Sequence, residues 1–347
     1  MDLFLSLLLI AAGFVLIIKG GDWFVDAAVW VARITHMPEV LIGATIVSLG
    51  TTLPEITVST IAAVNGDYGL AVTNSVGSMF CNVGLILGIG LLFSHLEVDR
   101  GQLWSKALLA VLTTLAILLF SLDGRVYLWE TLLLLLIFVV YLTANIIEAV
   151  RKMKSGKAEL KAPEPEDQGK GDEKPWFMIL KFLLGAAGIA LGAKLLVDNV
   201  TRLATQYLGI STSILGVTVV ALGTSLPELV TCINSIRKNA VGMSLGNIIG
   251  ANILNGTLIT GICGLTAYFR EGSMDAVSSD SLYQLSHQML NTPILGAALA
   301  LFVLLVLVVP LLIRKKSARW QGAVLLLTYL AYTVFLVLAV SGVIRFG

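Results

Sequence analysis

The sequence predicts an all-α membrane protein of ten transmembrane helices, laid out as two inverted five-helix repeats with helices broken at matching places. Three observations carry this. Hydrophobic residues make up 57% of the 347-residue chain and charged residues only 13%, with a mean hydropathy of +0.90, whereas water-soluble domains usually carry about 25% charge. Apolar runs of about 20 residues, enough to cross a hydrocarbon core of roughly 30 Å, recur from end to end. Finally, Gly50-Thr51-Thr52-Leu53-Pro54-Glu55 returns 173 residues later as Gly223-Thr224-Ser225-Leu226-Pro227-Glu228.

Taken in order, the first half (1–150) holds apolar segments at 3–33, 39–64, 69–94, 103–121 and 126–150. Asp2 stands where a signal peptide would carry Lys or Arg, and no small-residue cleavage site follows, so segment 3–33 reads as a retained helix. Residues 151–175 are rich in Lys, Glu, Gly and Pro, the composition of a flexible linker. The second half (176–347) holds segments at 176–204, 210–236, 240–268, 293–313 and 320–344. The first, sixth and seventh segments are long enough to be tilted or broken. Within the polar stretch 269–292, Leu282, Leu285 and Met289 are spaced for a short amphipathic helix on the membrane surface.

Lys and Arg set the orientation. With the N-terminus outside, the inner side holds Arg33, Arg100, Lys106, the linker lysines, Arg237, Lys238, Arg314, Lys315, Lys316 and Arg319. The outer side keeps only Arg125, Arg202, Arg270 and Arg345, so both termini are expected outside and the linker in the cytoplasm. The cytoplasmic (inner) membrane of a prokaryote is the expected location. Five helices per half bring the second half into the membrane from the opposite side, which makes the halves inverted repeats. Laid without a gap on 216–261, residues 43–88 match not only at the shared motif but at Gly43, Thr45, Gly69, Asn74, Gly77, Asn82, Leu85, Ile86 and Gly88. Apolar segments match by chance at Leu and Val, not at Pro, Glu, Asn and Gly in register.

The repeated motif carries the chemistry. A carboxylate in hydrocarbon is costly and marks a functional site by default; Glu55 and Glu228 are two, in matching places. Pro54 and Pro227 lack the N–H that would engage the carbonyl four residues back, and a broken helix survives in lipid only where protein or a water-filled cavity takes up the freed groups. Carbonyls near Ser48 and Gly50, and near Ala221 and Gly223, are therefore expected to face inward beside the hydroxyls of Thr51, Thr52, Thr224 and Ser225. Carboxylates, carbonyls and hydroxyls are the hard ligands of Ca²⁺ and Na⁺, and the His or Cys ligands preferred by zinc or copper are missing from the motif. Each repeat continues with asparagines, Asn74 and Asn82 answered by Asn247 and Asn255, supplying uncharged oxygen. Ser78 shares a helical face with Asn82.

Other polar residues read more plainly. Cys81, Cys232 and Cys263 are odd in number, lack CxxC spacing and sit in apolar runs, as buried small hydrophobes do. Lys19 with Asp22 and Lys194 with Asp198 read as intrahelical pairs or snorkelling ends. His36, His95 and His287 fall at loops or helix ends and give a proton relay little support. A net charge of +1 without a basic, aromatic-interleaved patch gives no sign of a nucleic-acid partner.

These motifs resemble the calcium/cation antiporter superfamily, which includes sodium/calcium exchangers. Its paired alpha repeats carry a G-T/S-S-x-P-E-like element followed by a G-S-N-x-x-N-like element. Here the latter reads Gly77-Ser78-Met79-Phe80-Cys81-Asn82 and Gly250-Ala251-Asn252-Ile253-Leu254-Asn255. The resemblance implies a transporter, not an enzyme, with no cofactor, lipid as its surroundings and a monomer sufficient for transport. It implies Ca²⁺ held by Thr51, Glu55, Thr224 and Glu228. Sodium falls to Thr52, Ser78, Ser225 and the carbonyls of Ser48 and Ala221, with Asn82 near the centre. It also implies that the first and sixth helices slide past the remaining bundle to alternate access. Three positions depart from the family pattern: Ala251 brings no hydroxyl, Asn255 replaces an aspartate found in potassium-dependent members, and Met79 replaces asparagine. The first departure weakens one sodium position and keeps Ca²⁺/H⁺ antiport as the alternative; the second argues against potassium dependence. A channel would need rings of like residues from several subunits, and the linker is too short for a regulatory domain of about 100 residues.

Overall fold

The computed structural model describes residues 3–35, 37–66, 68–93, 100–121, 127–155, 174–208, 221–271, 292–314 and 316–340. Each of the ten predicted segments contains helix within them. The first half comprises α1 (Leu3–Thr35), α2a (Glu39–Thr51) with α2b (Leu53–Val64), α3 (Tyr68–Cys81, continued by Gly88–Phe93), α4 (Arg100–Phe120) and α5 (Leu128–Ser155). The second comprises α6 (Pro175–Leu208), α7a (Ala221–Thr224) with α7b (Leu226–Arg237), α8 (Val241–Leu254, continued by Thr260–Glu271), α9 (Thr292–Arg314) and α10 (Arg319–Val340). Most of the linker, the amphipathic stretch around Leu282, the first part of the seventh segment and all three histidines lie outside the described residues.

The duplication is visible in the helix limits themselves. Leu53–Val64 recurs as Leu226–Arg237, and the helix ends at Thr51 and Cys81 recur at Thr224 and Leu254, each 173 residues on. Among the described residues, π-helical turns interrupt the helices at Gly43–Val47, Asn82–Leu87 and Asn255–Ile259; the last two start at repeat-related asparagines. Helix limits differ from the predicted segments by a few residues; α5 runs to Ser155, into the predicted linker, where Lys152 pairs with Glu148 one turn back at 3.2 Å.

Burial ranks the helices. In the most apolar stretches of α3 and α8, 72% and 78% of residues are buried, against 22% in α1, 17% in α5 and 28% in α6. The central pair is therefore α3 and α8, while α1, α5 and α6 turn large apolar side chains such as Phe14, Trp129 and Leu183 outward, as lipid requires. Residues from α3, α4, α8, α9 and α10 share one core around Phe80, which packs edge-on against Tyr332.

Glycines set the closest approaches. A Cβ on Gly13 would lie 2.9 Å from the carbonyl oxygen of Gly192, and one on Gly20 would lie 2.8 Å from that of Gly185. These paired numbers run in opposite directions, so α1 and α6, the first helices of the two halves, pack antiparallel along a seam without side chains. On α2a and α8 the halves interlock in the same way, with Gly43 against Met243 and Gly246 against Val40.

Ion pairs tie the periphery at two places. Asp22 and Asp26 on α1 meet Lys238 at the end of α7b, at 3.8 and 3.0 Å. The expected intrahelical partner of Asp22, Lys19, is thus replaced by a residue of the other half, because α7b packs on this face of α1. On α4, the ammonium of Lys106 is 5% exposed and lies 2.8 Å from Glu148 of α5. Breaking a buried pair from one side strands the other charge. Glu148→Ala is accordingly expected to lower the detergent melting temperature more than the double change Lys106→Met with Glu148→Leu. An equal or greater loss in the double variant would contradict this.

Candidate cation site

The helix breaks fall where the sequence puts them, with one difference in detail. At Thr52 the backbone leaves the helical path (φ −81°, ψ 0°), Pro54 sits in the first turn of α2b, and the two pieces meet at a bend of 46°. Proline is tolerated there because a first-turn N–H has no helical partner. Ser225 repeats the geometry in the second half (φ −87°, ψ 4°), with Pro227 in the first turn of α7b. The difference concerns Ser48: its carbonyl accepts the Thr52 N–H at 2.9 Å, so it is not freed by the break and has only its second lone pair to offer. The carbonyl that Pro54 cannot engage is that of Gly50, where a Cβ would meet Phe24 of α1 at 2.9 Å. Gly223 abuts Val197 of α6 in the same way. Ala221 opens α7a.

Around the two breaks the polar side chains bond across the halves rather than within them. Thr52 Oγ1 donates to Glu228 Oε1 at 3.3 Å, and Ser225 Oγ lies 3.5 Å from Glu55 Oε1 and 3.4 Å from Ser78 Oγ. Thr51 Oγ1 donates to Asn247 Oδ1 at 3.2 Å, and Thr224 Oγ1 to Asn74 Oδ1 at 3.4 Å. Each hydroxyl of one Gly-Thr-Thr/Ser motif thus reaches the carboxylate or amide of the other repeat. Glu55 and Glu228 are 1% and 0% exposed.

Buried oxygens left without a hydrogen-bond donor mark what this centre lacks. Among the described residues they include Glu55 Oε2, Glu228 Oε2, Asn82 Oδ1 and Asn255 Oδ1, two repeat-related pairs. The amides point oxygen-first because their hydrogens are used elsewhere: Asn82 Nδ2 donates to Asn252 Oδ1 at 3.1 Å, and Asn255 Nδ2 to the Ala251 carbonyl at 2.9 Å. Unpaired buried acceptors are costly, and a hard cation offsets that cost directly. No cluster of three or more His, Cys, Asp or Glu exists among the described residues. With two acids amid neutral oxygens, the centre suits one Ca²⁺, or sodium ions of equal total charge.

Of the residues singled out in the sequence, Thr51, Thr52, Glu55, Ser78, Asn82, Thr224, Ser225, Glu228 and Asn255 are all buried in this region. The repeats differ where Ser78 faces Ser225 while the buried Ala251 offers no hydroxyl. Supporting residues include one quoted within the second motif, Asn252, and three that escaped the sequence reading. Asn252 holds the Asn82 amide and itself donates to the Met79 carbonyl at 3.1 Å. Ser75 and Thr260 donate to the Asn255 carbonyl at 2.7 and 3.0 Å, and the Tyr141 hydroxyl donates to the carbonyl of Ala44. The last three satisfy carbonyls at π-helical turns, which interrupt helices often at functional sites. An asparagine followed closely by glycine inside an apolar run was the only available signal.

The chain resembles known proteins over most of its length. A family model described as sodium/calcium exchanger protein matches residues 5–147 and 177–338. The chain is 29% identical over 371 aligned positions to the sodium/calcium exchanger MaX1 of Methanosarcina acetivorans, covering 95% of this chain and 98% of that one. It is 32% identical over 278 positions to the inner membrane protein YrbG of Escherichia coli, covering 79% and 83%. A solved structure of the sodium-calcium exchanger NCX_Mj, soaked with Na⁺ and Ca²⁺, superposes with a TM-score of 0.74 at 28% identity, over 96% of this chain and 99% of that one.

Proposed function

Because the chain belongs to the sodium/calcium exchanger protein family, we propose that it exchanges Ca²⁺ for Na⁺ by alternating access, the two ions competing for Glu55 and Glu228. Membership makes it a membrane transporter of the cation-exchange type and not an enzyme. The observation that carries the finer reading is the set of four donor-less buried oxygens on Glu55, Glu228, Asn82 and Asn255. Two carboxylates neutralise one Ca²⁺ or two Na⁺, so binding of either ion excludes the other. The doubly negative bare site resists crossing the low-dielectric barrier, which discourages movement of the empty carrier. Thr51 and Thr224 complete the calcium position; Thr52, Ser78, Ser225 and the carbonyls of Ser48 and Ala221 serve sodium.

The halves 1–150 and 176–347 each supply one side of this site, joined by the cytoplasmic linker 151–175, and one chain suffices for transport. The break between the two family-matched stretches at the linker supports that division. Both termini face outward, and the inner membrane of a prokaryote is the location that the likeness to YrbG favours. Proton coupling is the second reading, favoured by Ala251, which leaves sodium a hydroxyl short in the second repeat.

The test is the driving gradient. In reconstituted vesicles an outward Na⁺ gradient is expected to drive uptake of radiolabelled Ca²⁺, with rates unchanged when K⁺ is replaced. Uptake driven by a pH gradient in Na⁺-free buffer would overturn sodium coupling, and an absolute requirement for K⁺ would overturn the reading of Asn255.

A further inference from the structure

We infer that Asn247 and Asn74 are positioning residues that make Thr51 and Thr224 calcium ligands by taking up their hydroxyl hydrogens. The inference rests on the proposed placement of Ca²⁺ between Glu55 and Glu228. A hydroxyl carries one hydrogen and two lone pairs, so it can ligate a cation only if that hydrogen points to an acceptor elsewhere. Thr51 lies beside the Glu228 carboxylate, and Thr224 beside that of Glu55. A hydrogen turned toward the carboxylate would occupy a lone pair needed by the ion and present a positive end to it. Asn247 Oδ1, 3.2 Å from Thr51 Oγ1, and Asn74 Oδ1, 3.4 Å from Thr224 Oγ1, are the alternative acceptors. The Ser48 carbonyl is the more distant acceptor, 3.4 Å from Thr51, and shares its oxygen with the Thr52 N–H.

The direction of the Asn247 amide follows from its other partner. Thr231 gives its hydroxyl hydrogen to the Glu228 carbonyl at 3.0 Å, so its oxygen can only accept, and it accepts from Asn247 Nδ2 at 3.0 Å. That bond turns Oδ1 toward Thr51. In the first half Asn74 Nδ2 donates to Ser59 Oγ at 2.9 Å. Ser59 and Thr231 are not repeat counterparts: a shift of 173 carries Ser59 to Cys232. The two halves therefore reach the same arrangement through different anchors, which simple inheritance of a packing contact does not explain. All four partners of the two amides are 6% exposed or less, so water does not compete for these bonds.

The test compares Asn247→Leu, Asn74→Leu, Thr231→Val and Thr231→Ser, measuring Na⁺-driven Ca²⁺ uptake against Ca²⁺ concentration, and melting temperature with and without Ca²⁺. Residues that orient metal ligands typically cost about 10- to 100-fold in affinity when removed. A rise in KM for Ca²⁺ of that order is expected for the two Leu variants and for Thr231→Val. The maximal rate should fall far less, Ca²⁺ should no longer raise the melting temperature at concentrations that saturate the parent, and Thr231→Ser should restore the parent KM. An unchanged KM combined with a lower melting temperature in the absence of Ca²⁺ would reduce these residues to structural contacts and overturn the inference. Glu228→Gln, measured alongside, separates the two levels. If it transports normally the proposed site itself fails; if it is inactive while the Asn variants keep their KM, only the present inference fails. Should Asn247→Leu not fold, the Thr231 pair and Asn74→Leu still decide it.

Discussion

Changing Glu228 to Gln is expected to abolish Na⁺-driven Ca²⁺ uptake, and Glu55→Gln should do the same. Each swap keeps shape and removes one of the two charges. A divalent ion in the altered site would keep a net positive charge where Glu228 is 0% exposed. An uncompensated buried ion costs several kcal/mol after relaxation, and about 1.4 kcal/mol is a factor of ten in binding, so affinity should fall by more than about a hundredfold. The new amide makes matters worse: with its oxygen kept opposite the Thr52 hydroxyl, its NH2 donor takes the place of Oε2, the oxygen left without a donor in the parent. Uptake in proteoliposomes containing equal amounts of folded protein is the readout. Parent-like rates in either variant would rule out a shared pair of glutamates, and a loss in only one would rule out equal sharing.

Gly246→Val and Gly43→Val are expected to be as damaging, by a different route. A Cβ on Gly246 would sit 2.2 Å from the Val40 carbonyl oxygen, and one on Gly43 would sit 2.2 Å from that of Met243. The obstacles are backbone atoms, so no side-chain rotamer relieves the clash and α2a must move away from α8. Overpacking of this kind costs about 3 kcal/mol or more when backbone has to shift. It also pulls Thr51 from Asn247, since both lie on these two helices. Loss of monodisperse protein in detergent, or folded protein without transport, is the expected outcome. Gly77→Ala is the control: its Cβ would meet no described atom within 4 Å, so near-parent stability is expected. If the Val variants behaved like Gly77→Ala, the interlock of the two helices would not be needed for the site.

Much of this was legible because a membrane narrows what a sequence can mean. A run of apolar residues has to be helix there, so the ten segments followed from hydropathy, and a proline beside a carboxylate stood out within them. The in-register repeat then predicted that Thr51 and Thr224, or Glu55 and Glu228, would share one centre. What stayed hidden was direction. Nothing in the string shows that Thr52 N–H returns to the Ser48 carbonyl, because whether a carbonyl is freed depends on which N–H the following turn presents. Nor does hydropathy reveal that Asp22 crosses to Lys238 instead of pairing along its own helix. The π-helical turns at Asn82 and Asn255 are equally silent, as they add a residue to a turn without changing its apolar character. Ser75, Tyr141 and Thr260, which serve such turns, consequently read as ordinary helix residues.

The bonds between the halves also bear on how the protein is made. Ser225 lies 170 residues after the Glu55 it faces, and Glu228 lies 176 after Thr52. At about 5–20 residues per second of synthesis, Glu55 waits roughly 10 to 30 s before its partner hydroxyl exists. During that interval the first five helices lack the hydroxyls and amides that the second half brings to this carboxylate. Insertion of the first half therefore leaves an unfinished protein, and the arrival of α7 and α8 is the step that closes it. A chain stalled within the linker ends as a half whose Glu55 has not met Ser225.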